Sequence, residues 1–203
     1  GTVFRLGKDN FRWIGGSDYG GEWLRELAEK NELKVLVRSS TDQMHNVAVQ
    51  GPESRDLLRK LVWTAPHNPE FDQLDWFRFT PARLRNESGT PFVVSRTGYT
   101  GDLGYELWIA PELALTLWDA LYAAGEDYGI QPYGEAATNM VRLEAGFIMP
   151  GMEFNEALKT IHFEYDQTPF ELSLDWLVDF KKPHFNGREA LLKAKRKGFN
   201  YTL

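Results

Sequence analysis

The 203 residues suffice for one large domain or two small ones, and a 42% hydrophobic content with seven Trp and thirteen Phe can build a sizeable core. The net charge of −6, from 23 basic and 29 acidic residues, argues against a nucleic-acid binder, which carries a basic excess. There is no cysteine, which excludes disulfides, zinc–thiolate sites and a cysteine nucleophile; no apolar stretch is long enough to cross a bilayer and no signal-peptide pattern is present, so a membrane is not an expected partner and a cytoplasmic location is the default.

Strand-like runs at 2–6 and 11–14 flank the turn Gly7-Lys8-Asp9-Asn10 and predict a β-hairpin. Gly15-Gly16-Ser17-Asp18 breaks the chain, and 22–30 reads as a helix with Trp23 and Leu27 one turn apart. Strands are predicted at 34–38 and 46–50. Gly51-Pro52 ends the second and starts a helix, since Pro is tolerated in a first turn. Leu57, Leu58 and Leu61 give that helix its apolar side, and 63–70 is a Pro-containing loop. Strands follow at 76–84, 92–96 and 105–109, the last after a loop punctuated by Gly98, Gly101 and Gly104. Pro111 opens a helix with Leu113, Leu117, Ala120, Leu121 and Ala124 at helical period. The helix at 134–145 sets Ala136, Met140, Leu143 and Phe147 on one stripe. Residues 173–180 alternate as a strand, with Leu174, Trp176, Val178 and Phe180 on one face, and 187–197 is a last helix. Its Lys193, Lys195, Arg196 and Lys197 form a solvated face. The mixture, without a strict βαβ rhythm, predicts an α+β fold with helices on a mainly antiparallel sheet. No composition shift marks a linker, so a single domain is expected.

Common catalytic signatures are missing: no GxxxxGK[ST], no GxSxG and no HExxH. His45, His67, His162 and His184 are scattered, so no metal site is expected. Gly98 to Gly104 join two strands rather than a strand and a helix, which removes the helix N-terminus that a dinucleotide needs. Local pattern favours a glycine-rich hairpin; the functional alternative is a loop that lets backbone approach a ligand. On a strand from Tyr105, Glu106 and Trp108 point the same way. A carboxylate beside a flat aromatic suits a heterocycle with adjacent N–H donors such as a pterin, through parallel charge-assisted bonds. Taken alone, an exposed strand face is the commoner reading of Glu106.

An ordered set of motifs covers nearly the whole chain. Val49-Gln50-Gly51-Pro52 is similar to a Leu-Gln-Gly-Pro turn. Ser95-Arg96-Thr97-Gly98-Tyr99-Thr100-Gly101-Asp102-Leu103-Gly104-Tyr105-Glu106-Leu107 is similar to S-R-T-G-Y-T-G-E-x-G-[YF]-E-[LIV]. Val141-Arg142-Leu143-Glu144-Ala145-Gly146, Thr168-Pro169-Phe170-Glu171 and the run from Lys182 through Phe185-Asn186-Gly187-Arg188-Glu189-Ala190-Leu191 complete it. Each motif is modest, but in this order they resemble the folate-binding aminomethyltransferases, the glycine-cleavage T-protein family.

The resemblance implies a folate-binding α+β domain with ferredoxin-like elements over 1–197, with 198–203 opening a C-terminal barrel domain. It implies tetrahydrofolate as cofactor, Glu106 as the residue that holds the pterin and Tyr99 as a pocket wall; Trp108, which alternation sets on the face of Glu106, is the further cofactor-binding candidate. Arg142 and Glu144 are expected to be structural. The family's catalytic Asp belongs ahead of Gly1, so no catalytic residue is assigned here, and this stretch is expected to be inactive by itself. Where aminomethyltransferases read A-R-D-S-L-R, this chain has Ala137-Thr138-Asn139-Met140-Val141-Arg142, so Thr138 takes the place of a ligand-contacting Arg. Thr has one hydroxyl and no charge. The expected activity is therefore tetrahydrofolate-dependent one-carbon transfer, either aminomethyltransferase-like or as a demethylase of a methylated small molecule (an amine, sulfonium or aryl ether), with a lipoyl carrier protein as partner only in true glycine-cleavage enzymes. Flavin-linked dehydrogenases also carry folate domains of this type. The alternative is a non-catalytic folate-binding regulatory or interaction domain. Relatives involved in iron–sulfur repair carry K-G-C-[YF]-x-G-Q-E, and the matching Lys181 to Glu189 stretch has no Cys.

Overall fold

In the computed structural model, residues 1–155 and 166–199 are described; His162 and residues 200–203 lie outside them. The chain is organised as two compact units, Gly1–Tyr133 and Gly134–Leu203. Among the described residues no helix is long and apolar enough to cross a membrane.

The first unit opens with the expected hairpin, β1 (Thr2–Gly7) against β2 (Asn10–Ile14), and continues with α1 (Tyr19–Lys30). Its main sheet has five strands: β3 (His45–Gln50), β4 (Val62–Trp63), β5 (Phe79–Leu84), β6 (Pro91–Ser95) and β7 (Gly104–Ile109). Their spatial order is β3-β7-β6-β5-β4, and every pair is antiparallel. Thus β4 to β7 form a meander, and β3 is added beside the last strand, which makes β7 an interior strand paired on both sides. Helices α2 (Ser54–Arg59) and α3 (Ala114–Gly125) supply the helical residues of the core. Leu57, Leu58, Leu117 and Leu121 meet Val94, Tyr105, Leu107 and Ile109 of the sheet in one buried cluster. Each such aliphatic side chain contributes about 1.5–3 kcal/mol by leaving water. Pro111 opens a single 3₁₀ turn, Pro111–Leu113, ahead of α3.

The second unit holds α4 (Glu135–Glu144) and α5 (Arg188–Lys197). Arg142 of α4 is 1% exposed. Its Nε donates to Asn139 Oδ1 at 3.1 Å and its terminal nitrogen to the Phe147 carbonyl at 2.9 Å. The same terminal nitrogen lies 2.6 Å from Glu153 Oε2, which also accepts the Met149 N–H at 2.8 Å. Arg142 thus ties the helix to the turn after it, the structural role expected of it, while Glu144 is exposed. In Thr168-Pro169-Phe170-Glu171 the Glu171 carboxylate accepts both the Thr168 N–H, at 2.7 Å, and its hydroxyl, at 3.0 Å, so this motif is a self-closing turn. The basic last turn of α5 faces the negative end of its helix dipole, and Lys195 Nζ sits 5.3 Å from the Phe180 ring centre.

Two predicted strands are not strands. Residues 34–38 have no regular structure, and Val35 and Leu36 are exposed, Leu36 by 87%. A β-branched run becomes a strand only against a partner strand, and among the described residues none pairs with it. Residues 173–180 carry a 3₁₀ turn, Asp175–Leu177, entered through Ser173 at φ +55°. Trp76 and Phe77 form a turn ahead of β5, so that strand begins at Phe79. On α4, Met140 and Leu143 are exposed instead of forming a buried stripe.

Candidate functional site

The core side of the main sheet is apolar, and the opposite side is polar where β3, β6 and β7 run together. Antiparallel partners point to the same side. The register therefore sets Ala48, Glu106, Ser95 and Phe79 in one row across the sheet, and Asn46, Trp108, Val93 and Pro81 in the next.

Within these rows the Glu106 carboxylate is held from two sides. Asn46 Nδ2 donates to Oε1 at 2.9 Å, and the Thr97 hydroxyl donates to Oε2. Behind Thr97 lies Ser95, its Oγ 2.7 Å from Thr97 Oγ1 and 3.3 Å from the Glu106 carbonyl oxygen. Trp108 Nε1 donates to Ser95 Oγ at 2.9 Å. Ser95 is fully buried, Thr97 and Trp108 are 7% exposed, and Glu106 is half-buried. Phe4 of β1 meets the Trp108 ring edge-on, with centroids 5.6 Å apart at 84°, and lies 5.2 Å from the Phe79 ring. Both donors to the carboxylate are neutral, and each oxygen, having two lone pairs, retains acceptor capacity.

Tyr133 is a neighbour that sequence reasoning missed. Burial pushes its phenol up from the usual value, and the negative charge of Glu106 pushes it further in the same direction. Nothing in the spacing of the motifs pointed to it.

Within the glycine-rich segment, Gly98 and Gly104 make room for a side chain of the same unit. The close neighbour of Gly98 and Gly104 is the Gln50 side chain: a Cβ on either would fall 2.1 or 2.0 Å from Gln50 Oε1. Gln50 Nε2 donates to the Tyr105 carbonyl at 3.1 Å and the Thr97 carbonyl at 3.4 Å, and Oε1 accepts the Thr100 hydroxyl at 3.0 Å. Gly51 N–H adds a bond to the Leu103 carbonyl at 2.7 Å. Two motifs that are separate in sequence are therefore one clasp, and it sets the entry of β7, two residues before Glu106.

Of the four candidate residues, Glu106 and Trp108 share a face and are linked through Ser95 and Thr97. Tyr99 is half-buried on the turn that leads into β7. Thr138 lies on α4 in the second unit, half-buried, and its hydroxyl bonds back to the Gly134 carbonyl at 3.1 Å. An open cleft of about 680 Å³ on the first unit is lined by Met44, Trp63, His67, Pro81, Arg83 and Trp108 among others, and its walls do not include Glu106.

This architecture is that of the aminomethyltransferases. Glycine cleavage system aminomethyltransferase T from Bartonella henselae, a crystal structure, has a TM-score of 0.69 to this chain at 23% identity, over 97% of this chain and 48% of that one. Residues 1–182 match the family described as the GCVT N-terminal domain, and the chain belongs to that family. A trimethylamine-oxide aldolase from Ruegeria pomeroyi is 59% identical over 198 residues, which are 96% of this chain and 24% of that protein. An aminomethyltransferase from Halothermothrix orenii is 32% identical over 201 residues, 99% of this chain and 52% of that protein. The chain thus spans about half the length of that aminomethyltransferase and about a quarter of the aldolase.

Proposed function

We propose that this chain is the folate-holding part of an enzyme that moves a one-carbon unit from a small methylated donor to tetrahydrofolate, working in the cytoplasm. The observation that carries the reading is the Glu106 carboxylate, fixed by Asn46 and Thr97 yet only half-buried and with acceptor capacity left on both oxygens. That arrangement fits the paired N–H donors of a pterin edge, which two parallel charge-assisted bonds would hold in one orientation. Tetrahydrofolate, when bound, supplies neighbouring nitrogens that take up a carbon at the formaldehyde level. The chain's own share is binding and orientation: Glu106 fixes the pterin, Asn46 and Thr97 fix Glu106, and Tyr99 and Tyr133 stand on the same unit as candidate walls.

The donor class follows from two observations that agree. Thr138 stands where the family's enzymes have Arg, which changes the group offered to donor or folate. The relative at 59% identity is named for trimethylamine oxide. This oxide is isomeric with dimethylamine plus formaldehyde, so its cleavage needs no outside oxidant. A methylated amine oxide or a similarly methylated small molecule is the donor we assign, in preference to an aminomethyl-lipoyl carrier protein.

The test uses the whole protein that contains this chain. Calorimetry with tetrahydrofolate should show Glu106→Ala weakening binding by about 1.5–3 kcal/mol, the scale of a hydrogen bond to a charged group. Unchanged affinity would remove Glu106 from the folate site. Assays of trimethylamine oxide, other methylated donors and aminomethyl-lipoyl carrier, followed by folate products, then decide the donor. Turnover of the carrier alone would reverse that assignment.

A further inference from the structure

We propose that Trp108, Ser95 and Thr97 form a one-way hydrogen-bond relay that aims the Glu106 carboxylate, which makes Ser95 and Thr97 positioning residues for the ligand held there. The direction follows from the ends of the chain of bonds. An indole N–H can only donate, and an ionised carboxylate can only accept. With Trp108 donating to Ser95 at 2.9 Å and Thr97 donating to Glu106, the 2.7 Å contact between the hydroxyls has one consistent sense: Ser95 donates to Thr97. The other acceptor within reach of Ser95, the Glu106 carbonyl, is farther away at 3.3 Å.

Bonds that point the same way along such a chain polarise one another, and burial removes the water that would compete for each hydroxyl. Ser95 is fully buried and Thr97 nearly so. The origin of the relay is fixed as well, because the Trp108 ring is held edge-on by Phe4. Asn46 on β3 restrains the other oxygen. Residues of β3, β6 and β7, with Thr97 just past β6, thus pin one carboxylate. A Glu on a free strand face would sample several rotamers and lose that freedom on binding a ligand. Here the loss is already met in folding, which is the usual benefit of preorganisation. The nature of the ligand rests on the folate reading above, but the relay does not.

Two measurements on the whole protein separate the two ideas. The first follows the Trp108 indole N–H by nitrogen-15 NMR without ligand, the signal assigned through Trp108→Phe. Thr97→Val and Glu106→Gln should each move this resonance, and Thr97→Ser should leave it close to wild type. If Thr97→Val leaves it in place, the relay is wrong whatever the ligand. The second is calorimetry with tetrahydrofolate, alongside melting curves that confirm folding. Thr97→Val should weaken binding by about tenfold, the scale of one charge-assisted bond, and Thr97→Ser should restore it to within about twofold. Loss of affinity in Glu106→Gln with none in Thr97→Val would overturn the positioning role. Wild-type protein that ignores tetrahydrofolate, with the indole shifts as expected, would sink the folate reading and leave the relay standing.

Discussion

Glu106 in the first unit and Glu153 in the second are each fixed by two donors, and the donors differ in charge. Glu153 takes its bonds from the Arg142 guanidinium and a backbone N–H. Among the described residues, Glu106 takes its bonds from an amide and a hydroxyl. The guanidinium holds the Glu153 carboxyl below the usual carboxylate range, with the Met149 N–H adding to the effect. Its charge is answered within the fold, and the pair closes a turn after α4. The charge of Glu106 is oriented but unanswered by those bonds, and it is felt at the Tyr133 phenol. A carboxylate neutralised by its own chain is a fastener. One that is aimed by neutral donors keeps its attraction for a ligand.

Four measurements bear on this contrast. The largest effect should come from Arg142→Met. It leaves Glu153, Asn139 and the Phe147 carbonyl without their shared donor and should cost about 3 kcal/mol in urea unfolding, the scale for truncating a buried side chain that makes several hydrogen bonds. A loss well below that would make the fastener incidental. Next is Gly104→Ala, which displaces the Gln50 amide from the Tyr105 and Thr97 carbonyls and the Thr100 hydroxyl and should cost about 2 kcal/mol by the same assay, the scale of the hydrogen bonds lost. Glu106→Gln should change unfolding stability by less than about 1 kcal/mol, because neither of its two donors is charged, and on the proposed function it should weaken tetrahydrofolate binding. A large destabilisation there would make the two carboxylates alike. The smallest effect concerns pH. The folded Glu153 carboxyl titrates below its ordinary value of 4.5, so its contribution is complete above that pH and is lost as pH falls through the lower, folded value. Melting temperature measured below pH 4.5 should fall less steeply in Glu153→Gln than in wild type.

Much of the first unit was legible in the sequence because its patterns are local. The hairpin 2–14, the strands that became β3, β6 and β7, and the apolar sides of α2 and α3 all follow periodicity and turn residues. The shared face of Glu106 and Trp108 needed only strand alternation. What stayed hidden depends on residues distant in sequence. Asn46 reaches Glu106 because β3 pairs with β7, and no pattern announces that pairing. Ser95 and Thr97 look like ordinary polar residues of a motif until β6 is laid beside β7. Residues 34–38, an apolar run, and 173–180, an alternating one, misled for the complementary reason: either pattern becomes a strand only beside another, and with no neighbouring strand among the described residues Leu36 and Trp176 stand in solvent.

The clasp between Gln50 and the two glycines ties three positions into a single variable. The room that Gly98 and Gly104 leave is room for the Gln50 amide, so neither glycine is required for its own sake. Shortening the side chain at 50 should release the restriction at 104. The pair Gln50→Ser with Gly104→Ala is then less damaging than the sum of the single changes, and the size of that surplus measures how tightly the entry of β7 is sprung.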